Sequence, residues 1–246
     1  DLAKASGDAV DRATRLLGAT KPPSERMTVV FDNRVTPTLL SVLASALNGE
    51  AVLKGRSFLA GRVGERIAVE GFTLVDDPTD PRAYGATAYD AEGLATRRNA
   101  LVDDGVLQGF LYDTYAGRRA GLASNGSAVR GGFKSGPGTG ARALAVTPGE
   151  LDQRGIVAGV ATGVLVQSIS GVHSGVNPIS GDFSVGAEGL LIEDGELGAP
   201  VREFTIASTV QRMLLGVTAI GADIEWLPGS AAGVTLAIAD MSVSGT

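Results

Sequence analysis

The stretch from Ser180 to Ala207, SGDFSVGAEGLLIEDGELGAPVREFTIA, constrains the fold more than any other part of the chain. An apolar run from Gly186 to Ile192 ends in Glu193-Asp194-Gly195, a charged turn with glycine at the position that tolerates positive φ. From Val201 to Ile206 the residues alternate, which predicts Val, Glu and Thr on the outer face and Arg, Phe and Ile on the inner face. The stretch therefore predicts a hairpin that feeds a further strand.

The composition indicates one globular domain rich in strands. The chain has 246 residues, of which 44% are hydrophobic, and this is enough for a sizeable core. Only 5% of the residues are aromatic and 35 are glycine, so we expect an aliphatic core with many tight turns. We predict a single domain over residues 1–246, in which residues 1–20 are a helical remnant or linker from an N-terminal domain that this chain lacks.

Charge and cysteine content exclude several classes of function. The net charge of −6 argues against a general attraction to nucleic acid, and we interpret Arg97-Arg98 and Arg118-Arg119 as solvated surface. The sequence holds no cysteine, which excludes disulfides, thiolate nucleophiles and sulfur ligands for a metal. Since no apolar run reaches the length of about 18 residues that a membrane span requires, we expect a soluble chain.

Hydrophobic periodicity predicts helices in the first quarter of the chain. Residues 2–18 form an amphipathic pattern, and Met27 to Phe31 reads as a central strand. Thr36-Pro37 predicts an N-cap followed by proline in the first turn of an almost wholly apolar helix that ends at Asn48-Gly49. A short helical segment over residues 51–60 is expected next.

Strand signals dominate the remainder of the chain. Apolar runs on either side of Asp103-Asp104-Gly105 predict a second hairpin. Residues 130–142, RGGFKSGPGTGAR, predict a mobile loop, and residues 219–226 and 233–241 predict strands. Because strands prevail over alternating βαβ units, we predict an α+β fold, mainly an antiparallel sheet with a few packed helices.

Two motifs invite a catalytic or ligand-binding interpretation. The glycine-rich residues 130–142 lack the pattern of a phosphate-binding loop, so a flexible surface loop is the better interpretation. His173 is the single histidine, and it could act as a base with Asp182 and one of Ser170, Ser174 or Ser180. A loop histidine bonded to the backbone is the favoured alternative, since no G-x-S-x-G motif accompanies it.

Three blocks together resemble the C-terminal domain of the TldD/PmbA family, and within it the PmbA (TldE) branch. They are DAEGLATRRNALVDDGVLQGFLYDTYAGRRAGLASNG at 90–126, SGDFSVGAEGLLIEDGELGAPVREFTIA at 180–207 and TAIGADIEW at 218–226. The resemblance extends from about residue 29 to residue 245, and the order and spacing of the blocks agree with the family.

The resemblance implies a role beside a zinc peptidase. In the family, a TldD-type subunit carries zinc on a helix with the motif His-Glu-x-x-x-His and has a further cysteine ligand. The matching positions here are Leu40, Ser41 and Ser45, which supply neither zinc ligands nor the glutamate base. The resemblance therefore implies a cytoplasmic, metal-free subunit that does not hydrolyse peptides alone, with zinc only in its TldD-type partner.

The expected partners are a TldD-type subunit and an unfolded peptide, with neither nucleic acid nor membrane. The small residues of a strand over Phe183 to Gly189 would let another backbone approach closely. The peptide or partner surface is therefore predicted at His173, Asn177, Asp182, Phe183, Ser184 and Gly186. The alternative is a stand-alone homodimeric module that binds peptides or a protein client, in the manner of a gyrase modulator, without peptidase activity.

Overall fold

Helices and strands alternate irregularly along the chain. The structure is a computed structural model that describes residues 2–245, except for the side chains of residues 4, 5 and 8. The helices are α1 (Leu2–Arg15), α2 (Thr36–Ala46), α3 (Gly49–Leu53), α4 (Thr114–Ala120), α5 (Gln153–Ala158), α6 (Val172–Gly175) and α7 (Val210–Leu215). The strands up to the middle of the chain are β1 (Glu25–Phe31), β2 (Leu74–Asp76), β3 (Asn99–Asp103), β4 (Val106–Leu107), β5 (Ala128–Val129), β6 (Gly138–Thr139) and β7 (Leu144–Val146). The later strands are β8 (Thr162–Ser170), β9 (Asp182–Glu193), β10 (Glu196–Thr209), β11 (Val217–Ile220), β12 (Glu225–Trp226), β13 (Ala232–Gly233) and β14 (Leu236–Ser244).

The main sheet has six strands in the order β1-β8-β9-β10-β14-β11, and an additional pairing joins β14 to β1. The pairings from β1 through β8, β9, β10 and β14 therefore return to β1, so the sheet closes on itself. Strands β1 and β8 are parallel, whereas the other pairs are antiparallel. The α+β class is correct, but the main sheet is mixed rather than antiparallel throughout, because the long connection from β1 to β8 permits a parallel pair.

Strand β1 is central, as its apolar sequence predicts. Val29 and Phe31 face the larger hydrophobic core, and Val30 faces a smaller core against α5. Both faces of the strand are therefore buried, which explains why apolar residues run without alternation. A second, four-stranded antiparallel sheet has the order β4-β3-β2-β7.

The two predicted hairpins are present, with their turns at the expected residues. Asp104 and Gly105 have φ of 47° and 77°, and Asp194 and Gly195 have φ of 50° and 83°. Positive φ at both central residues is the type I′ geometry, whose twist matches that of antiparallel strands. The local Asp-Gly signal thus defines both turns.

The predicted orientation of Val201 is wrong. Val201 is only 1% exposed and Arg202 is exposed, whereas alternation through Ile206 placed Val201 outward. The pairing of β10 with β9 shifts register between Val201 and Phe204, and Glu203 has a φ of 56°. This bulge adds a residue to one strand, so Val201, Phe204 and Ile206 all reach the core.

Helix α2 confirms its prediction except at the N-cap. The cap is Val35 rather than Thr36, whose buried hydroxyl donates to the Val234 carbonyl oxygen at 2.7 Å. The Thr36 hydroxyl, which the sequence predicts to cap the helix, thus makes a tertiary hydrogen bond instead. Pro37 lies in the first turn, where its missing N–H leaves no bond unmade.

Three other boundaries differ from the prediction. Helix α3 is shorter than the expected segment 51–60, and the expected strand 219–226 is divided into β11 and β12. Within the expected loop 130–142, Gly138 and Thr139 form β6, which pairs with β5. No helix among residues 2–245 is long and apolar enough to cross a membrane.

Candidate functional site

At the first of the three positions that the resemblance matches to zinc-motif residues, helix α2 packs into an apolar cavity. Leu40 is 2% exposed and lines a cavity of about 40 Å³ together with Phe72, Phe183, Met213 and Leu236. These residues come from five separate parts of the sequence, and the tertiary fold brings them together. The cavity wall at Leu40 is almost entirely apolar.

The two serines of the matching positions do not fit a zinc centre either. Both are exposed, and Ser41 donates its hydroxyl to the Pro37 carbonyl oxygen at 2.8 Å. Ser45 donates to the Ser41 carbonyl oxygen at 3.1 Å. Zinc binds imidazole, thiolate or carboxylate, none of which these positions offer. Within the described part of the chain, no group of three or more His, Cys, Asp or Glu side chains could hold a metal ion.

His173 lies on the one-turn helix α6, between β8 and β9, and is exposed. Over residues 2–245, no hydrogen bond joins it to the serines of the triad hypothesis. Ser174 donates instead to the Gly171 carbonyl oxygen at 3.2 Å, and Ser180 donates to Asp182 Oδ2 at 2.6 Å. In a triad the imidazole lies between serine and aspartate, whereas Ser180 bonds to Asp182 directly, so the structure does not assemble this triad.

Asn177 organises the turn that leads into β9. Its Oδ1 accepts the backbone N–H of Ile179 at 2.9 Å, and its backbone N–H donates to the Asp182 carbonyl oxygen at 2.9 Å. This is the local side-chain bonding by which asparagine stabilises turns. The turn is also held by α7, because Gln211 Nε2 donates to the Ser180 carbonyl oxygen at 2.8 Å.

The remaining predicted site residues lie on β9 with different exposures. Asp182 and Ser184 are exposed, Gly186 is half-buried, and Phe183 is 1% exposed in the cavity wall. The structure thus groups Asn177 with Asp182 and Phe183, while Gly186 lies further along β9 opposite Ser170.

The expectation that another backbone could pair with β9 is wrong. From Gly186 to Gly189 the strand pairs with β8 on one side and β10 on the other. Closer to its start, β9 is covered by α6, since a Cβ on Gly175 would lie 1.9 Å from the Ser184 carbonyl oxygen. An added strand needs an unpaired edge, and β9 has none over this range.

The sequence analysis did not predict a groove that lies within the block at 90–126. It is lined by Leu94, Ala95, Thr96, Arg97, Thr114, Ala123 and Ser124 and has a volume of about 750 Å³. The two arginine pairs are the sequence signal in this block, but exposed charge of this kind is typical of solvated surface. Only the folded chain shows that one arginine of the first pair lines a groove.

Comparison with known proteins identifies the family. The sequence profile described as the PmbA/TldA metallopeptidase C-terminal domain matches residues 24–245. A protein of Haemophilus influenzae named metalloprotease PmbA homolog is 34% identical over 214 residues, which are 85% of this chain and 44% of that protein. The chain thus spans about half the length of the curated relatives it matches.

Solved structures show the same architecture. TldE from Thermococcus kodakarensis superposes with a TM-score of 0.87 at 28% identity, covering 97% of this chain and 55% of that chain. A protein of Thermotoga maritima, described as a candidate modulator of a DNA gyrase, superposes with a TM-score of 0.89 at 26% identity, covering 96% and 54%. This chain therefore belongs to the TldD/PmbA family and contains its metallopeptidase C-terminal domain.

Proposed function

We propose that this chain is the metal-free, PmbA/TldE-like subunit of a cytoplasmic TldD-type zinc peptidase. The observation that carries the proposal is the apolar cavity at Leu40, because the helix position that would hold an imidazole is packed into the core. The family membership and the likeness to TldE support the choice of partner. The chain then contributes surface and substrate contacts, and the partner contributes zinc and the catalytic base.

A zinc site on α2 would require more than side-chain replacement. A histidine at Leu40 would place polar nitrogens in an apolar cavity, and an unsatisfied polar group in such a place costs about 1–3 kcal/mol. Ser41 and Ser45 are exposed on the helix and donate their hydroxyls to its own carbonyl oxygens. These contacts support the metal-free role that we propose for this chain.

Pairing is tested by co-expressing the chain, or the longer protein that contains it, with a tagged TldD-type subunit. We expect the two to copurify and the mixture to cleave an unfolded peptide, with zinc in proportion to the TldD-type subunit alone. The matched control replaces the glutamate of the partner's motif, which should abolish cleavage and leave copurification unchanged. Stoichiometric zinc in this polypeptide alone, or peptide hydrolysis by it alone, would overturn the proposal.

The predicted surface at His173, Asp182 and Ser184 is a second element of the proposal. All three side chains are exposed beside the turn that Asn177 organises. Because no triad surrounds His173, we expect His173→Ala to leave the rate of cleavage at saturating peptide unchanged and to alter only the peptide concentration that the mixture requires. Loss of cleavage with copurification intact would instead revive a catalytic role for His173.

A stand-alone homodimeric binding module is the second candidate. The description of the Thermotoga maritima neighbour as a candidate gyrase modulator favours it, because it names a protein client for a chain of the same fold. Light scattering of the chain with and without a TldD-type partner separates the two. A homodimer that persists when the partner is added, with no peptide cleavage, would favour the module over the peptidase subunit.

A further inference from the structure

The groove beside α4 has an apolar floor and a fixed positive charge. Leu94 is 40% exposed, and Ala95 and Ala123 are exposed beside it. Arg97 lines the groove and donates from Nη2 to the Ser124 carbonyl oxygen at 3.1 Å. Because a guanidinium has five N–H donors, this single bond orients Arg97 and leaves donors for another acceptor.

A second arginine follows one helical turn after a residue that lines the groove. Thr114 lines it, and Arg118 follows Thr114 by four residues, so both are on one face of α4. Gly117 belongs to that face and packs on the groove wall, since a Cβ there would lie 3.1 Å from the Ala123 carbonyl carbon. Arg118 therefore lies one helical turn beyond the groove-lining Thr114, about 6 Å further along the helix axis.

Three acidic groups, Asp90, Glu92 and Asp113, lie near the groove, and each accepts hydrogen bonds from neighbouring residues. Glu92 Oε2 accepts the backbone N–H of Thr114 at 2.9 Å and its hydroxyl at 2.7 Å. Asp113 is buried and accepts the backbone N–H of Ala116 at 2.7 Å. None of the ion pairs among the described residues involves Arg97 or Arg118. Arg97 in the groove and Arg118 one helical turn beyond it thus have no carboxylate partner among the described residues, although the net charge of the chain is −6.

We propose that this groove binds an extended acidic peptide segment. Its carboxylates would bond to Arg97 and Arg118, and an adjoining aliphatic side chain would cover Leu94 and Ala95. Charge-assisted bonds to a guanidinium give geometric specificity as well as energy, and Arg97 is already oriented. The source of the segment, an unfolded polypeptide offered to a peptidase, rests on the proposed function, whereas binding itself does not.

The lining favours peptide over nucleic acid. A site for single-stranded nucleic acid combines positive charge with aromatic side chains on which bases stack. The residues that line this groove include no aromatic side chain. Aliphatic surface beside two separate cations suits instead a peptide in which carboxylates and apolar side chains alternate.

Fluorescence anisotropy of the isolated chain tests the proposal. The probe is a short labelled peptide that alternates glutamate and leucine, compared with the same peptide carrying lysine for glutamate. We expect the acidic peptide alone to bind and the affinity to fall as salt is added, because the charges are exposed. Arg97→Gln and Arg118→Gln should each weaken binding on the order of tenfold, the effect of losing a charge-assisted hydrogen bond.

Arg98→Gln is the matched control, since it removes the same charge at the next position. Arg98 lines a separate pocket with Asp77, Asp80 and Trp226.

Leu94→Ser should also weaken binding, which a purely electrostatic contact would not show. Equal losses for Arg97→Gln and Arg98→Gln, equal binding of the lysine peptide, or equal binding of a single-stranded oligonucleotide would overturn the proposal. Failure to pair with a TldD-type subunit would leave these results unchanged and so bears only on the proposed function.

Discussion

Asp76 is a carboxyl group held in the core at the end of β2. Its Oδ1 accepts the backbone N–H of Arg142 at 2.9 Å and of Ala143 at 2.7 Å, while its buried Oδ2 has no hydrogen-bond partner in the described residues. Burial raises the pKa of Asp76, and the two backbone bonds only partly oppose this. The side chain thus joins the second sheet to the segment after β6. In this position its second oxygen, Oδ2, is buried without a hydrogen bond.

Replacing Asp76 by asparagine should make stability less dependent on pH. A folded-state pKa above the unfolded value of about 3.9 stabilises the fold below that value, and the contribution is lost as pH rises through the folded pKa. Asp76→Asn keeps an acceptor for the two backbone donors and cannot ionise. As pH rises from the unfolded pKa to the folded pKa of Asp76, the free energy of unfolding should therefore fall less for the variant than for the parent chain. Urea unfolding at several pH values measures this difference. Asp77→Asn, which removes the neighbouring charge, is the control, and an equally flattened profile there would refute the assignment to Asp76.

Leu40→His tests the packing of α2. An imidazole in the apolar cavity loses the contacts of leucine and finds no polar partner, so we expect destabilisation of about 2–4 kcal/mol. Ser45→His places the same side chain on the exposed face of the helix and should change stability by less than about 0.5 kcal/mol. Chemical denaturation measures both variants. Equal stability of the two would mean that Leu40 is not a core residue.

The hairpin of β9 and β10 depends on Gly195 for two reasons. Its φ is 83°, and a Cβ there would lie 2.7 Å from the Ala158 carbonyl oxygen. Gly171 has a similar φ of 76° but open space around its Cβ position, so it isolates the conformational effect. We expect Gly171→Ala to cost about 1–2 kcal/mol. Gly195→Ala should cost about 1–3 kcal/mol more, because α5 must also shift. Equal changes in the midpoint of denaturation would contradict the contact.

The same hairpin shows which features of an element can be predicted from sequence. Asp194-Gly195 defines its turn because the chemistry of a type I′ turn is local. The bulge at Glu203 carries no such signal, because a non-glycine residue at positive φ is held there by the strands around it. The alternating pattern therefore predicts the wrong face of the sheet for Val201, because one extra residue between Val201 and Phe204 shifts the side chains before it to the other face.

The same distinction between local and tertiary signals applies to the candidate site. Leu40 and the two serines of α2 were identified from their positions in the sequence. Their surroundings were not, because the cavity at Leu40 also needs Phe183 and Leu236, far along the chain. The groove likewise joins Arg97 to Ser124 through packing that no short-range pattern contains.

Because the main sheet is closed, it can open first only where two neighbouring strands share few paired residues. Strand β14 pairs with β1 from Glu25 to Phe31 but with β10 only at Thr205, Ile206 and Ala207. The shorter β10–β14 pairing is therefore the weaker of the two, and we call it the seam of the closed sheet. Strand β1 has a hydrogen-bonded neighbour on each side and both faces buried, so its central amides are exposed only when the sheet as a whole comes apart.

Native-state hydrogen exchange should therefore rank the strands in a definite order. Amides in the centre of β1 and in β8 should exchange with the free energy of global unfolding, since local fraying cannot reach them. Within residues 205–207 and 242–244, the amides that bond between β10 and β14 should exchange through a smaller opening, which separates these two strands and leaves the β9–β10 hairpin intact. If the seam amides were as well protected as Val29, the closed sheet would open as one unit, and the short pairing would not be its weak point.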